Sequence, residues 1–464
     1  MVLLTKAPRG TADVLPEDSY KRKFVEDILS DYASQADFKE IRTPVFEHTE
    51  LFKRSVGETT DVVQKEMYTF EDNGHRSITL RPEVTAGCAR AFLEHGLYNE
   101  PLPQKYYYIA SCYRYEKPQA GRLREFHQFG VETLGTDSPA ADAEIIALAR
   151  QIFDVFEITD IELEINSIGC PACRSKYHAE LKKYFESKKD RLCETCLSRL
   201  ERNPMRILDC KSPICQEVAK DAPVMLDYLC DDCREHFGKV KKYLDAMDID
   251  YKVNPRIVRG LDYYTNTVFE FVSTGIGAQG TVCGGGRYNG LIKELSGDNI
   301  PACGFGMGIE RLLLLIAAKG RGIPEEARPV IYIAPASEEY TFKALALTDE
   351  FRCDGVHALT DLGGRSLKAQ MKYANKRKVQ YTAVLGEDEV KQNKITVKNM
   401  DNGEQTEFAL DTFTEDFLPI AHDCGLTDIF GNIDEFFGSD SNDNNDDGFN
   451  GGNPFLSLLN GGKK

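Results

Sequence analysis

The sequence has 464 residues, 42% of them hydrophobic and 28% charged, with a net charge of −17; the length exceeds one compact core and predicts two to four domains. No run of 18 or more apolar residues occurs, which excludes a membrane-spanning helix, and the start lacks a basic leader with an apolar segment behind it, so a cytoplasmic protein is expected. The acidic balance argues against unselective coating of nucleic acid but leaves room for a local basic surface.

In chain order, residues 17–34 place Tyr20, Phe24, Val25, Ile28, Leu29 and Tyr32 on one helical face. An extended run over 40–47 follows, and Pro44 makes it an edge strand or a strand end. Residues 105–116 are aromatic and rich in β-formers, and 126–134 is a second such run. The basic segment between them contains Pro118 and Gly121, so a long-looped antiparallel hairpin is predicted. Period two puts Arg114 and Glu116 on one face of the first strand, and Phe126, Gln128, Gly130 and Glu132 on one face of the second. A plainly solvated face would carry Thr, Lys and Ser more evenly.

Eight of the 14 cysteines fall between Cys170 and Cys233, in a stretch of mostly helical pattern. They form four close pairs: Cys170 with Cys173, Cys193 with Cys196, Cys210 with Cys215, and Cys230 with Cys233. In a large chain with no export signal, such clustering reads as metal binding before disulfides, and the pairs can supply thiolates to one or two tetrahedral Zn²⁺ ions. The competing reading is free thiols in a reducing compartment. Spacing does not say which pairs combine. The other six cysteines (88, 112, 283, 303, 353 and 424) are isolated and expected to be buried.

Residues 268–272 form another strand, followed by a glycine-rich stretch over 275–290. Gly275-Ile-Gly-Ala-Gln-Gly280 fits a dinucleotide-binding pattern, yet Thr281-Val-Cys-Gly-Gly-Gly follows where a helix should open, so it is read as a glycine-rich turn. Residues 304–316 run from glycines into a helix with Arg311 near its start. From Arg328 onward, strands at 330–334, 356–360 and 380–385 alternate with helices at 337–351 and 366–377, which predicts a separate α/β domain with a mainly parallel sheet. Beyond residue 425 the chain is acidic and rich in Asn and Gly, an expected disordered tail that is either inert, the favoured reading, or an interaction motif through its spaced Phe430, Phe436, Phe437, Phe449 and Phe455.

Four segments together resemble the histidyl-tRNA synthetase family, over about residues 1–424. They are Arg9-Gly-Thr-Ala-Asp13 with Leu80-Arg-Pro-Glu-Val-Thr85, the 112–132 hairpin, Val258-Arg-Gly-Leu-Asp-Tyr-Tyr-Thr265 with Gly284-Gly-Gly-Arg-Tyr288, and Gly304–Leu315. The second and fourth look like class II motifs 2 and 3. The Arg-Gly-Leu-Asp-Tyr-Tyr run is the part specific to the histidine branch. The resemblance implies an α+β catalytic core built on an antiparallel sheet (1–168 and 241–325), interrupted by the Cys-rich helical insertion (169–240). A C-terminal α/β anticodon-binding domain (326–424) would follow.

The implied reaction is activation of L-histidine by ATP with Mg²⁺, then transfer to tRNA(His). Adenylation brings a carboxylate to the ATP α-phosphate, so the site must concentrate fixed positive charge, and arginine suits that task. The resemblance implies that Arg114 contacts the α-phosphate and the histidine carboxylate, that Arg259 is the main electrostatic catalyst, and that Arg311 holds the γ-phosphate. It gives Glu116 and Phe126 to adenine. Histidine would be met by Glu83, Thr85 and Gln128 on the ammonium side and by Glu132, Tyr263, Tyr264 and Tyr288 on the imidazole side, with Val84 also among the histidine-binding residues. Taken singly, an Arg at a helix start is usually a surface cap, and paired tyrosines are usually core. Their co-occurrence at family spacing carries the reading.

For tRNA, the hairpin loop offers Lys117, Arg122 and Arg124, and Lys368, Lys372 and Lys376 fall at i, i+4, i+8 on one helical face; a solvated face would look the same. The resemblance also implies a homodimer through the first helix and the strand ending near Pro44. Two other readings stand beside this one. A regulatory subunit of histidine biosynthesis would share the catalytic fold but lack the C-terminal domain and degrade the motifs, whereas here Arg259 and residues 329–424 are present. A zinc protein that only binds nucleic acid would leave most of the chain unexplained.

Overall fold

A computed structural model describes residues 4–57, 60, 62–210, 212–257, 262–273, 280–319 and 322–425. It divides into two compact units, the first ending at Ile323 and the second beginning at Pro324. No helix among the described residues is long and apolar enough to cross a membrane.

The first unit is organised on an eight-stranded sheet. In spatial order the strands are Lys39–Glu40, Gln104–Tyr113, Glu125–Leu134, Ala302–Gly308, Thr281–Arg287, Thr265–Ser273, Ile161–Ser167 and Lys252–Val253. All pairings are antiparallel except the two at the edges. Helices Pro16–Gln35 and Pro139–Val155 pack on each other and on the sheet. Each begins with a proline, whose missing N–H costs nothing in a first turn.

The sequence-predicted hairpin is present, with one change at its tip. The first strand leaves the ladder after Tyr113, because the Tyr115 N–H donates to the Glu66 carbonyl (2.7 Å) instead of continuing the pairing. Arg114 and Glu116 therefore lie just past the strand end. The 40–47 run is likewise not one strand: Lys39–Glu40 edges the large sheet, and Phe46–His48 joins a three-stranded sheet with Ser77–Leu80 and Tyr68–Glu71. Pro44 lies in the break, where the buried Arg81 guanidinium donates to the Thr43 carbonyl at 2.8 Å.

The run read as a glycine-rich turn, 275–280, lies outside the described residues except for Gly280. Residues 281–287 beyond it form a strand, and residues 302–308 form another that runs into helix Ile309–Lys319, with Arg311 near its start as expected. A β-carbon on Gly285 would stand 2.3 Å from the Gly304 carbonyl oxygen, so these strands exist with glycine because their neighbours come too close for anything larger.

The Cys-rich insertion is helical as expected, with helices Pro171–Glu186, Glu194–Arg202, Pro213–Ala219 and Asp231–Ala246. Its core of Tyr177, Leu181, Phe185, Leu200 and Ile207 runs without a break into Tyr263, Tyr264 and Tyr288. Cys88, Cys112, Cys283 and Cys303 are buried as expected, whereas Cys353, the last residue of its helix, is exposed; the Cys424 side chain is outside the description.

The second unit holds a five-stranded sheet ordered Ala358–Thr360, Ile331–Pro335, Tyr381–Leu385, Lys394–Asn399 and Gln405–Ala409. The first three are parallel, as predicted, and the last two add an antiparallel hairpin. Helix Leu367–Lys376 buries Gln370 and Ala374 and exposes Lys368, Lys372 and Lys376. The predicted tail, apart from Gly425, lies outside the described residues.

One buried ion pair ties the sheet to its covering helix. Arg287, fully buried, donates to the Asp142 carboxylate (2.6 Å) and to the carbonyls of Thr136 (2.7 Å) and Ser138 (3.0 Å). Breaking one half of such a pair leaves a buried charge without compensation. Arg287→Met is expected to cost about 3–5 kcal/mol, read from the denaturant midpoint by circular dichroism, and Arg287→Met with Asp142→Leu should recover part of the loss.

Candidate active site

The open cavity of about 270 Å³ in the first unit lies over one face of the large sheet, at the hairpin and the two glycine strands. Register explains its shape. Glu132 pairs with Gly304, Gly130 with Gly306, and Gln128 with Gly308, while Gly284 and Gly286 pair with Gly306 and Gly304 on the other side. The middle of the floor is therefore bare backbone. Glu132 and Gln128 lie across it: a β-carbon on Gly304 would be 2.1 Å from Glu132 Oε2, and one on Gly306 would be 2.0 Å from Gln128 Nε2.

Glu132 is the hub at one end. Its Oε1 accepts from the Thr85 hydroxyl (2.6 Å) and the Tyr108 hydroxyl (3.3 Å), and its Oε2 from the Tyr288 hydroxyl. Burial pushes its carboxyl up to about 8; the hydrogen bonds from Thr85 and Tyr288 oppose the rise, and the Glu83 charge adds to it. Glu83 is buried too. Its Oε1 accepts from the Ala86 N–H at the start of helix Thr85–Glu94 (3.0 Å), while its Oε2 has no hydrogen-bond partner. Burial raises its pKa, and the Ala86 N–H and the Arg114 guanidinium oppose that rise. Tyr263, Tyr264 and Tyr288 form an aromatic wall, with ring centroids 4.8–6.3 Å apart.

The other end is cationic. The Arg114 guanidinium lies 5.2 Å over the Phe126 ring and donates to the Pro82 carbonyl (2.8 Å). Arg122 is ion-paired with Glu116, and Arg311 donates to the Gly121 carbonyl (3.1 Å) and to the Thr281 carbonyl. Burial lowers the Arg311 pKa, and the charges of Arg122 and Arg114 lower it further. Three guanidinium groups close enough to perturb one another form a place for an anion.

Nearly every predicted pocket residue thus meets at one cavity: Glu83, Thr85, Arg114, Glu116, Phe126, Gln128, Tyr263, Tyr264, Tyr288 and Arg311 line it with Glu132 beneath them. Val84 does not, since its side chain packs in the core with Cys88, Tyr108 and Cys112. Arg259 lies outside the described residues. Of the hairpin-loop cations, Lys117 is exposed. Arg122 turns into the pocket toward Glu116, and Arg124 stacks on Tyr115 at 3.9 Å.

Sequence reasoning missed two participants. Tyr108 crosses Gly130, whose β-carbon would be 2.3 Å from the tyrosine hydroxyl, to reach Glu132. Glu310 accepts from the His127 N–H (2.9 Å) and ring Nδ1 (2.8 Å) and pairs with Arg22 (2.6 Å), which fixes the start of the helix carrying Arg311. An acid one residue before Arg311 was the available signal.

The eight insertion cysteines separate into two sets: Cys170, Cys173, Cys230 and Cys233, and Cys193, Cys196, Cys210 and Cys215. Within each set all four sulfurs lie within 4.8 Å of one another. Separations of 3.6 Å (Cys170 to Cys173), 3.9 Å (Cys173 to Cys233) and 3.8 Å (Cys193 to Cys210) are far beyond a disulfide. They match the edge of about 3.8 Å of a tetrahedron with Zn–S bonds of about 2.3 Å. Cys170, Cys193 and Cys230 each stand at the N-cap position of a helix, and backbone N–H groups of Cys230 (3.0 Å) and Cys193 (3.3 Å) donate to sulfurs of Cys173 and Cys215. That is how proteins stabilise thiolates.

The family model for histidyl-tRNA synthetase matches residues 10–312, and that for an anticodon binding domain matches 330–418. The chain belongs to the histidyl-tRNA synthetase family. A histidine–tRNA ligase of Caldanaerobacter subterraneus is 54% identical over 409 residues, 88% of this chain and 98% of that relative. An apo S. aureus histidyl-tRNA synthetase matches with a TM-score of 0.76 at 39% identity, over 89% of this chain and 100% of the other. A Bacillus halodurans protein described as an ATP phosphoribosyltransferase regulatory subunit/histidyl-tRNA synthetase matches with a TM-score of 0.59 at 23% identity, over 83% of this chain and 99% of the other, and shows the shared fold alone. The family assignment therefore rests on the first two likenesses and on both family models.

The Glu132 environment makes a prediction for the free protein. Native Glu132 keeps its proton up to about pH 8, whereas the unfolded chain loses it near the ordinary value of 4.5. Between those values the native state binds more protons, so this group's contribution to stability falls as pH rises. Denaturant midpoints measured from pH 5 to 8 should decline less steeply for Glu132→Gln than for the parent; equal slopes would contradict the assignment.

Proposed function

We propose that the chain is a histidine–tRNA ligase, which joins L-histidine to ATP as histidyl-adenylate, releases pyrophosphate, and passes the histidyl group to tRNA(His) with release of AMP. The observation that carries the reading is the polarity of the cavity. One end holds three mutually repelling guanidinium groups, and the other holds a buried carboxylate oxygen with no partner beside a ring of tyrosines. A zwitterionic amino acid and a polyphosphate complete both ends.

In this reading the histidine ammonium donates to Glu83 Oε2, with Gln128 beside it, and the imidazole meets Glu132 and the hydroxyls of Tyr264 and Tyr288. Tyr263 packs against both tyrosine rings. Arg114 spans the histidine carboxylate and the α-phosphate. The carboxylate oxygen attacks the α-phosphorus, the bond to the β-phosphate oxygen breaks, and pyrophosphate leaves. Charge growing on the α-phosphate is met by Arg114 and Arg259, and Arg311 holds the γ-phosphate. Because the guanidinium groups of Arg114 and Arg311 are already in place, the step needs positioning and fixed charge more than proton transfer. Adenine stacks on Phe126 beside Glu116. Mg²⁺ arrives on the triphosphate, held mainly by phosphate oxygens; Glu270, near enough to Arg311 to raise its pKa, offers a carboxylate at that end.

The acceptor end of tRNA would approach over Lys117, with Arg122 and Arg124 beneath. The exposed stripe of Lys368, Lys372 and Lys376 offers a phosphate-binding face on the second unit. Each set of four thiols would hold one structural Zn²⁺, away from the reacting atoms. The chain would work in the cytoplasm as a homodimer, a reading supported by exposed Val45, Phe46 and Phe70 in or beside the small sheet.

ATP–pyrophosphate exchange should depend on histidine among the amino acids. Arg259→Ala should lower its kcat by at least about a hundredfold, the scale seen when a preorganised donor is removed. Exchange with no amino acid, from a folded protein, would instead favour the regulatory subunit.

A further inference from the structure

Each cysteine centre sends an arginine to the same three residues, Asp262 to Tyr264. Arg174 follows Cys173 directly, and its Nη1 donates to the Tyr264 carbonyl at 3.0 Å. From the other centre, in the loop between Cys196 and Cys210, Arg206 Nη2 lies 3.6 Å from Asp262 Oδ1, and Asn203 Nδ2 donates to that oxygen at 3.4 Å. The segment 262–264 has no helix or strand of its own, yet it carries the aromatic wall of the cavity.

The first centre also grips the chain just beyond. Cys233 Sγ is 3.3 Å from Asn266 Oδ1, the Asn266 N–H donates to the Gly169 carbonyl (3.1 Å), and the Ile168 N–H donates to the Asn266 carbonyl (2.8 Å). Turned over, the Asn266 amide would present its NH₂ to a metal-bound thiolate, the usual partner of such a sulfur.

We propose that the two thiolate centres, each filled by Zn²⁺, staple the segment 262–264 from both sides and so set the histidine pocket, with Arg174 and Arg206 as positioning residues. This rests on the reading of Tyr263 and Tyr264 as part of that pocket. Such a staple acts through chain entropy. Without metal, the loops between the cysteine pairs are closed only by packing; a bound ion closes them and fixes where their arginines emerge. A pocket wall without regular structure then inherits the rigidity of two metal knots.

The test uses the full chain, freshly purified under reducing conditions. Metal analysis should find two zinc ions per chain, one for each set of cysteines. Arg174→Met and Arg206→Met should keep both ions and the ATP KM, while the histidine KM in pyrophosphate exchange rises roughly tenfold, as for loss of one hydrogen bond from a charged donor at Arg174 and of a part-buried ion pair at Arg206. Arg174→Lys, which retains a donor toward the Tyr264 carbonyl, should recover most of the loss. Stripping the parent with a zinc chelator should raise the histidine KM in the same sense, and added Zn²⁺ should reverse it. Two zinc ions with an unchanged histidine KM in both variants would overturn the stapling role. A chain without zinc would overturn the metal assignment and the proposal together. No histidine-dependent exchange in the parent would overturn the underlying functional reading instead.

Discussion

A ligand can lie flat against a β-sheet only where the strands carry no side chains, and this constraint governs the catalytic unit. Gly130, Gly284, Gly286, Gly304 and Gly306 meet at adjacent register positions, so three neighbouring strands are bare at the same level. Glycine weakens a strand, and the cost is offset by antiparallel pairing on both sides of each glycine strand. The space so opened is crossed by Gln128, Glu132 and Tyr108, whose positions no larger residue in those places would permit.

The charges on either side of that floor are arranged against themselves. Burial and mutual repulsion disfavour the arginine cluster, and burial keeps Glu132 protonated to about pH 8. An empty pocket of this kind is held in its unfavourable arrangement by the surrounding fold. Arg114 is fixed by the Pro82 carbonyl, Arg311 by Gly121 and Thr281, and Glu310 by His127 and Arg22. Substrates with complementary charge then meet groups that need not reorganise, which is the condition for electrostatic catalysis.

Much of this was legible in the sequence because the chemistry is carried by side chains at short, fixed spacing. The hairpin was visible in its β-formers, the face of Phe126, Gln128 and Glu132 in period two, and the α/β unit in alternation of apolar runs. What was not legible depends on contacts between distant segments. The glycine-rich runs 281–287 and 302–308 show themselves as strands only once the register with Glu132 shows why no side chain fits. Tyr108 was one aromatic β-former among several in its run, and its hydroxyl acquires a role only because Gly130 stands opposite. The partition of eight cysteines into two sets joins Cys170 and Cys173 to Cys230 and Cys233, across some sixty residues, a pairing that helix packing decides.

The claim that bare backbone shapes the pocket is tested most directly at Gly306, where the three atoms nearest an added β-carbon all belong to the Gln128 side chain, with Nε2 at 2.0 Å. Histidine affinity of Gly306→Ala would be measured by calorimetry beside its circular dichroism and melting temperature. The account predicts a retained fold with histidine affinity down by at least about tenfold, the scale of one lost hydrogen bond to a charged group. A folded variant that binds histidine as tightly as the parent would contradict it.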